Sequence, residues 1–330
     1  MPGENTIAVL EDSFNTLSQE WNRLLEPGVA RNIFLTPQWQ ELCWRNLHED
    51  GWDLFLFSVR GGGDALGIAP LRRRGDTICF IGNAEVSDYL DFVVKEDEEE
   101  NFYQVLLDTL KTEDWAKLDL RSLCASSPTL KHLPALASSL GFSVSLEEET
   151  VAPAMDLPAS WDEYLASLDK KERHEFRRKS RRLDANVSSR YYSLEGRELN
   201  EGMDDFLRLH RISKDDKAVF MNEQMEGFFR AMAALFAEEG WARLYFLEAN
   251  GERVATALCF QYGNESLLYN SGFDPAYGWL SAGLLLKAYC IRDAIESGRR
   301  RFDFLRGSEH YKYELGGLDM PVYRCVVRRT

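Results

Sequence analysis

Long apolar runs, paired cysteines and clustered histidines are all missing from this sequence, and each absence removes a class of protein. No segment reaches the roughly 18 consecutive apolar residues that a membrane-spanning helix requires, so insertion into a bilayer is not expected. The opening Met1-Pro2-Gly3-Glu4-Asn5 has no basic stretch followed by an apolar one, which argues against a secretory leader and makes a cytoplasmic location the expectation. The six cysteines (Cys43, Cys79, Cys124, Cys259, Cys290 and Cys325) stand far apart, with no CxxC pair, and read as buried reduced thiols. Zinc ligands come in close pairs, and with only five histidines in the chain no metal centre is expected. No GxSxG, HExxH or GxxxxGK[ST] occurs, and no Ser-His-Asp or Cys-His signature. Esterase, zinc-protease and P-loop ATPase chemistry are thereby set aside. Positive charge is also scarce: 39 Lys and Arg face 54 Asp and Glu, for a net charge of −15. A phosphate backbone repels such a surface, so DNA is not an expected partner.

What remains is an ordinary globular composition, 45% hydrophobic and 28% charged, over 330 residues. That length suits two domains. The first half offers an apolar run at 7–10, a helix over 13–25, and a second helix opened by Thr36 as N-cap with Pro37 at its first position. Strands are expected at 53–60, 65–71, 77–81 and 89–94, with Gly61-Gly62-Gly63 as a hairpin turn between the first two. A helix over 97–111, a strand over 116–121, a helix over 130–140 and a strand over 142–146 follow. The second half repeats this rhythm. Helices are expected at 159–168, 171–186, 203–213 and 222–239, then strands at 242–248, 253–262 and 266–271. Asn250-Gly251 is a strong hairpin signal. A helix over 281–297 stops at Gly298, and strands at 301–305 and 322–327 flank a polar-aromatic segment at 308–315. The shared order of elements predicts an internally duplicated α/β fold with domains at 1–153 and 154–330.

Three stretches stand out for chemistry. In the first, the strand ending near Tyr269 runs through a loop into Ser281-Ala282-Gly283. Ser281 is placed to cap the following helix, and free amides at such a start suit a pyrophosphate or carboxylate; close packing at Gly283 is the plainer alternative. In the second, Asp303 interrupts an apolar strand, and Arg306, Glu309, His310 and Lys312 crowd just past its end. Strand ends are where α/β folds commonly build sites, although a solvated loop would look the same. In the third, residues 170–183 hold eight Lys and Arg against two Glu, with Arg173, Arg177 and Arg181 in one helical stripe and Arg178 and Arg182 in the next. Such a stripe calls for either an anionic ligand or the protein's own acidic surface.

These blocks, taken in order, resemble the acetyltransferase family named after cellulose biosynthesis, a branch of the GNAT superfamily. More distantly they are similar to the Fem-type aminoacyltransferases. The residues that carry the likeness are Phe34, Pro37 and Trp39, then Ala69-Pro70-Leu71 and Asp88-Tyr89-Leu90-Asp91. In the second half they are Lys171-x-Arg173, Leu209-His210, Tyr269 to Phe273, Ser281-x-Gly283, Phe302 to Gly307 and Tyr311-Lys312. The resemblance implies tandem GNAT-like domains with mixed, largely antiparallel sheets flanked by helices. It implies an acyl-CoA donor, usually acetyl-CoA, and transfer to an amine or hydroxyl of a small-molecule or saccharide acceptor. The donor would be held by Ser281, Ala282, Gly283, Arg177 and Arg178. In the GNAT pattern an Arg or Gln leads the pyrophosphate turn, and none does so here. Fem-type relatives use charged tRNA, and Tyr311-Lys312 corresponds to their Phe-Lys pair. Direct transfer needs no enzyme nucleophile. On this reading Lys312 stabilises the developing oxyanion, Asp303, Glu309 or His310 takes the proton, and Tyr269 protonates the leaving thiolate. A non-catalytic protein with this fold is the remaining alternative.

Overall fold

A computed structural model describes residues 6–26, 32–82 and 84–329; the opening pentapeptide read above for a leader lies outside them. Along the chain come β1 (Ile7–Glu11), α1 (Ser18–Leu25), α2 (Pro37–Leu47), β2 (Asp53–Gly61), β3 (Asp64–Arg74), β4 (Thr77–Phe80), β5 (Val93–Val94), α3 (Glu99–Thr112), β6 (Lys117–Cys124), α4 (Pro128–Ser139) and β7 (Ser143–Val151). Then follow β8 (Ala154–Asp156), α5 (Trp161–Ser167), α6 (Lys170–Asn186), β9 (Ser189–Leu194), α7 (Arg197–Ser213), α8 (Asp215–Phe220), α9 (Glu223–Glu238), β10 (Ala242–Ala249), β11 (Glu252–Tyr262), β12 (Glu265–Phe273), α10 (Ala282–Glu296), β13 (Arg301–Asp303), α11 (His310–Glu314) and β14 (Pro321–Arg328). The contacts divide these into two compact units, residues 1–150 with 320–330, and residues 151–319.

The first unit is built on a sheet of order β1-β2-β3-β4-β6-β14-β7, with β5 alongside β3. Alternation along its strands sends Phe55, Phe57, Leu71, Ile78, Leu118 and Leu120 to one face, where Phe102 and Leu106 of α3 and Leu133 of α4 cover them. Leu56, Ile68 and Ile81 face the other way, onto Trp21, Leu24 and Leu25 of α1. Thr36 caps α2 as its sequence predicts, accepting from the Trp39 amide at 3.2 Å. The strand expected at 89–94 shrinks to two residues. Val86, Tyr89, Leu90 and Phe92 are buried in irregular chain instead.

The second unit has a six-stranded sheet of order β8-β13-β12-β11-β10-β9. Asn250 and Gly251 both take positive φ, 53° and 87°, and close the β10–β11 hairpin. One face carries Ala255, Ala257, Cys259 and Leu268 against Leu285, Leu286 and Ile291 of α10, with Tyr164 and Leu183 beside them. The other face receives α7, which must come very close at Gly272. A Cβ there would lie 2.5 Å from the Leu209 carbonyl and the His210 amide, so only glycine permits the approach. Two elements escape sequence patterning. Strand β9 reads SRYYSL and has no fully buried residue, and α8 buries none of its residues. Both units are therefore mixed, largely antiparallel α/β layers, the architecture expected of tandem GNAT-like domains.

Candidate active site

The second unit opens where β12 and β13 part. These parallel strands pair only through Glu265–Arg301, Ser266–Phe302 and Leu267–Asp303. Beyond Leu267, β12 continues to Phe273 on its β11 side alone. A bulge sits at the parting: Cys259 faces Leu268 and Leu258 faces Asn270, leaving Tyr269 as the extra residue. Bulges redirect side chains and are common beside sites. Here Tyr269 turns onto Phe229 and Phe260, with ring centroids 5.6 and 4.8 Å away.

Past the parting, β13 ends at Asp303, which is buried and accepts from the Leu305 amide at 2.7 Å. The chain then turns through Leu305 (φ 59°) and Gly307 (φ 109°). Lys312 pins this turn from α11. Its buried Nζ donates to the carbonyls of Leu305, Arg306 and Gly307 at 2.8, 2.7 and 3.0 Å, and lies 3.0 Å from Glu309 Oε2. All three ammonium hydrogens thus have backbone acceptors. Glu309 is half exposed; burial pushes its carboxyl up, but the Lys312 charge and hydrogen bond outweigh this and hold it below the usual range. His310 is largely exposed and lies 3.3 Å from Glu314. Asp303, Glu309 and Lys312 are therefore brought together around one turn, while His310 and Tyr269 face other surroundings.

Two further lysines line the parting, and neither stood out in the sequence. Lys217 of α8 donates to the Ser271 carbonyl of β12. Burial and the charge of Lys214 bring its ammonium down to about 8. Lys287 of α10 is buried, reaches the Gly283 carbonyl at 3.3 Å, and stands 4.4 Å over the Tyr311 ring. Burial and the charge of Lys217 bring it down to about 8 as well. Among the described residues neither has a carboxylate within ion-pair distance. Glu309 acts on both from a distance through its charge. Lys287 was open to detection, since it is the one charged residue in the apolar run Leu284 to Ile291. On the α7 side, His210 is buried with Nε2 2.8 Å from Asn270 Oδ1. Burial and the Lys217 charge drop its imidazole to about 4. It is therefore neutral at pH 7, donating through Nε2 to the amide oxygen, and its Nδ1 has no described partner.

The start of α10 corrects one local expectation. Ser281 does not cap the helix with its side chain; its backbone is left-handed (φ 58°), which turns the hydroxyl away from the following amides. The hydroxyl accepts from Arg182 Nη2 at 2.9 Å instead. The backbone carbonyl of Ser281 takes the Leu284 and Leu285 amides, and no acceptor is described for those of Ala282 and Gly283. Gly283 also meets a packing demand, because a Cβ there would lie 3.1 Å from the Phe273 ring. Of the basic helix, Arg178 is engaged by Glu175 at 2.7 Å and Arg177 is exposed. Arg182, absent from the sequence-based donor set, is the arginine that reaches the turn. No group of His, Cys, Asp or Glu among the described residues is arranged to hold a metal, and no helix among them is long and apolar enough to cross a membrane.

Residues 170–313 match the acetyltransferase (GNAT) domain family. No curated protein sequence matches the chain. Among solved structures it is similar to FemX, with a TM-score of 0.64 and 14% identity over 97% of this chain and 96% of that one. It is similar to L-PGS from Bacillus licheniformis, with a TM-score of 0.52 and 10% identity over 83% and 81%. It is also similar to a tandem GNAT protein from the clavulanic acid biosynthesis pathway, with a TM-score of 0.50 and 13% identity over 97% of each chain. At these identities the structural likeness shows the fold alone.

Proposed function

We propose that this chain, whose second unit carries a GNAT-type acyltransferase domain, moves an acyl group from acyl-CoA to an amine or hydroxyl of a small-molecule or saccharide acceptor. The observation that supports this most is the parting of β12 and β13 directly before a helix start with open amides. An extended thioester arm entering the gap would find unpaired strand edge on β12. The Ala282 and Gly283 amides, with Arg182 beside them, would take the anionic end of the donor. Acetyl-CoA is the donor to try first. The narrower likeness to the cellulose-biosynthesis branch is supported by the sequence blocks alone.

In this reading each residue has a distinct task. Lys312 shapes the turn rather than meeting the oxyanion, since its hydrogens are engaged by three carbonyls. Lys287, with no carboxylate neighbour, is the better cation for developing negative charge. Glu309, half exposed and ionised, takes the acceptor's proton. Asp303 fixes the turn through the Leu305 amide. Tyr269 and His210 hold the bulged part of β12, and His310 lies at the rim.

Calorimetric titration with acetyl-CoA, with free CoA as control, tests the proposal. Saturable binding that weakens at least tenfold in Arg182→Gln is the expected result. A folded protein that binds neither donor nor CoA would overturn it. A second reading, transfer from charged tRNA, is favoured by one observation: Arg177 and Arg181 lie exposed on α6 with no carboxylate partner among the described residues. Charged-tRNA binding lost on neutralising both would select it.

A further inference from the structure

The first unit holds a second arrangement that acyl transfer does not use. Arg72 and Arg74 of β3 share one face of the sheet with Thr77 and Cys79 of β4 and with Lys117, Asp119 and Arg121 of β6. The register pairs Arg72 with Cys79, Arg74 with Thr77, Thr77 with Lys117 and Cys79 with Asp119. Helix α1 packs on this face around Leu56, Ile68 and Ile81. The uncovered part forms a cleft of about 340 Å3, walled on one side by Trp52. The Arg72 and Arg74 guanidinium carbons stand 4.3 and 4.5 Å from the centroid of that indole.

Most charges here are balanced. Arg74 lies 3.4 Å from Glu49, and Arg121 pairs with Glu149. Asp119 is held by Arg324 at 2.7 Å and by Lys117 at 3.2 Å. Arg72 is the exception. Its one described hydrogen bond runs from Nε to Cys79 Sγ at 3.4 Å, a weak acceptor, and no carboxylate lies within ion-pair distance among the described residues. The Trp52 Nε1–H is also buried and has no described acceptor. A buried donor left unmade costs roughly 1–3 kcal/mol. A half-buried arginine without a carboxylate and one buried orphan donor, the Trp52 N–H, thus share a cleft in which Asp119, the one carboxylate among its described lining residues, is already engaged. A metal would need the reverse, an excess of acceptors. What completes this cleft must bring oxygen lone pairs and negative charge.

We propose that the cleft binds the oxyanionic group, phosphate or carboxylate, of a small ligand. Arg72 supplies the charge and a planar fork, and the Trp52 indole a fixed N–H. The indole also keeps both guanidiniums flat and in place, which lowers the entropy lost on binding.

Titration of the whole protein with inorganic phosphate, and separately with acetate, at constant ionic strength under chloride tests this by calorimetry. Saturable binding that is at least tenfold weaker in Arg72→Gln and several-fold weaker in Trp52→Phe is expected. Arg72→Lys should fall between, since it keeps the charge and loses the fork; if Arg72→Gln does not fold, this variant and Trp52→Phe decide. Saturation by phosphate alone assigns a phosphorylated ligand, and saturation by acetate as well assigns a carboxylate. Failure of both anions to saturate, or affinity unchanged in the folded variants, overturns the site.

Discussion

A lysine sealed into a fold without a carboxylate opposes folding, because the ammonium loses its hydration. Lys287 is in that position, and Lys217 nearly so. Both are lowered from the ordinary 10.5 to about 8, so the unfolded chain holds protons that the folded one has shed between those values. Stability therefore rises as pH goes from about 8 to 10.5. Lys287→Met should raise the unfolding free energy by about 1–3 kcal/mol at pH 7 while abolishing acyl transfer; denaturant melts and an activity assay read both. Loss of stability together with activity would mark the lysine as structural. His210 has the same sign in a lower pH window. Lowered from 6.5 to about 4, it leaves stability whole above about 6.5 and removes up to roughly 3 kcal/mol as pH falls toward 4. Its imidazole carbon-proton resonances should stay those of a neutral ring down to pH 5. These groups were hard to read from sequence because lysine patterning normally reports surface. Asp303, Glu309 and Lys312 were legible because several charged residues crowd the end of an apolar strand.

At the scale of elements, legibility tracked local chemistry. Thr36-Pro37 and Asn250-Gly251 specify backbone angles by themselves, and the cap and the hairpin formed where they stand. Ser281 failed as a cap because the preceding turn sets its φ positive, something no residue type near it announces. Strand β9 and helix α8 carry too little apolar pattern to be seen, since each is held by its neighbours more than by its own face. Helix α7 and β12 meet through Gly272, so Gly272→Ala should cost about 1–3 kcal/mol or more and displace His210 from Asn270. A denaturant midpoint within error of the parent would contradict this tight approach. Arg182→Gln, by contrast, should leave stability nearly unchanged, because its one described side-chain contact is a single hydrogen bond to Ser281.

Across the whole molecule, the largest departure of strand order from chain order lies in the first unit's sheet. Strand β14 lies between β6 and β7, inside the sheet of the first unit, and pairs antiparallel with β6 from Val322–Cys124 to Arg328–Lys117. Cys325 and Val327 are wholly buried there, and Arg324 grips Asp119 at 2.7 Å. A chain ending at Asp319 would leave both neighbours with open edges. It should lose the first unit's cooperative unfolding transition and aggregate, while residues 151–319 keep theirs; differential calorimetry would show one transition where the full chain shows more. Nothing in residues 321–328 signals this return, because an apolar strand reads alike in any sheet.

The same strand sets a schedule for synthesis. Protein units ordinarily fold from the N-terminus as they leave the ribosome. Here the first-made unit lacks an interior strand until residues 321–328 emerge, whereas residues 151–319 have everything they need earlier. At roughly 5–20 residues per second, the unfinished sheet waits on the order of ten to thirty seconds. Nascent chains stalled at increasing lengths should gain protease resistance first in the later-made unit, and in the earlier-made one only once β14 has emerged.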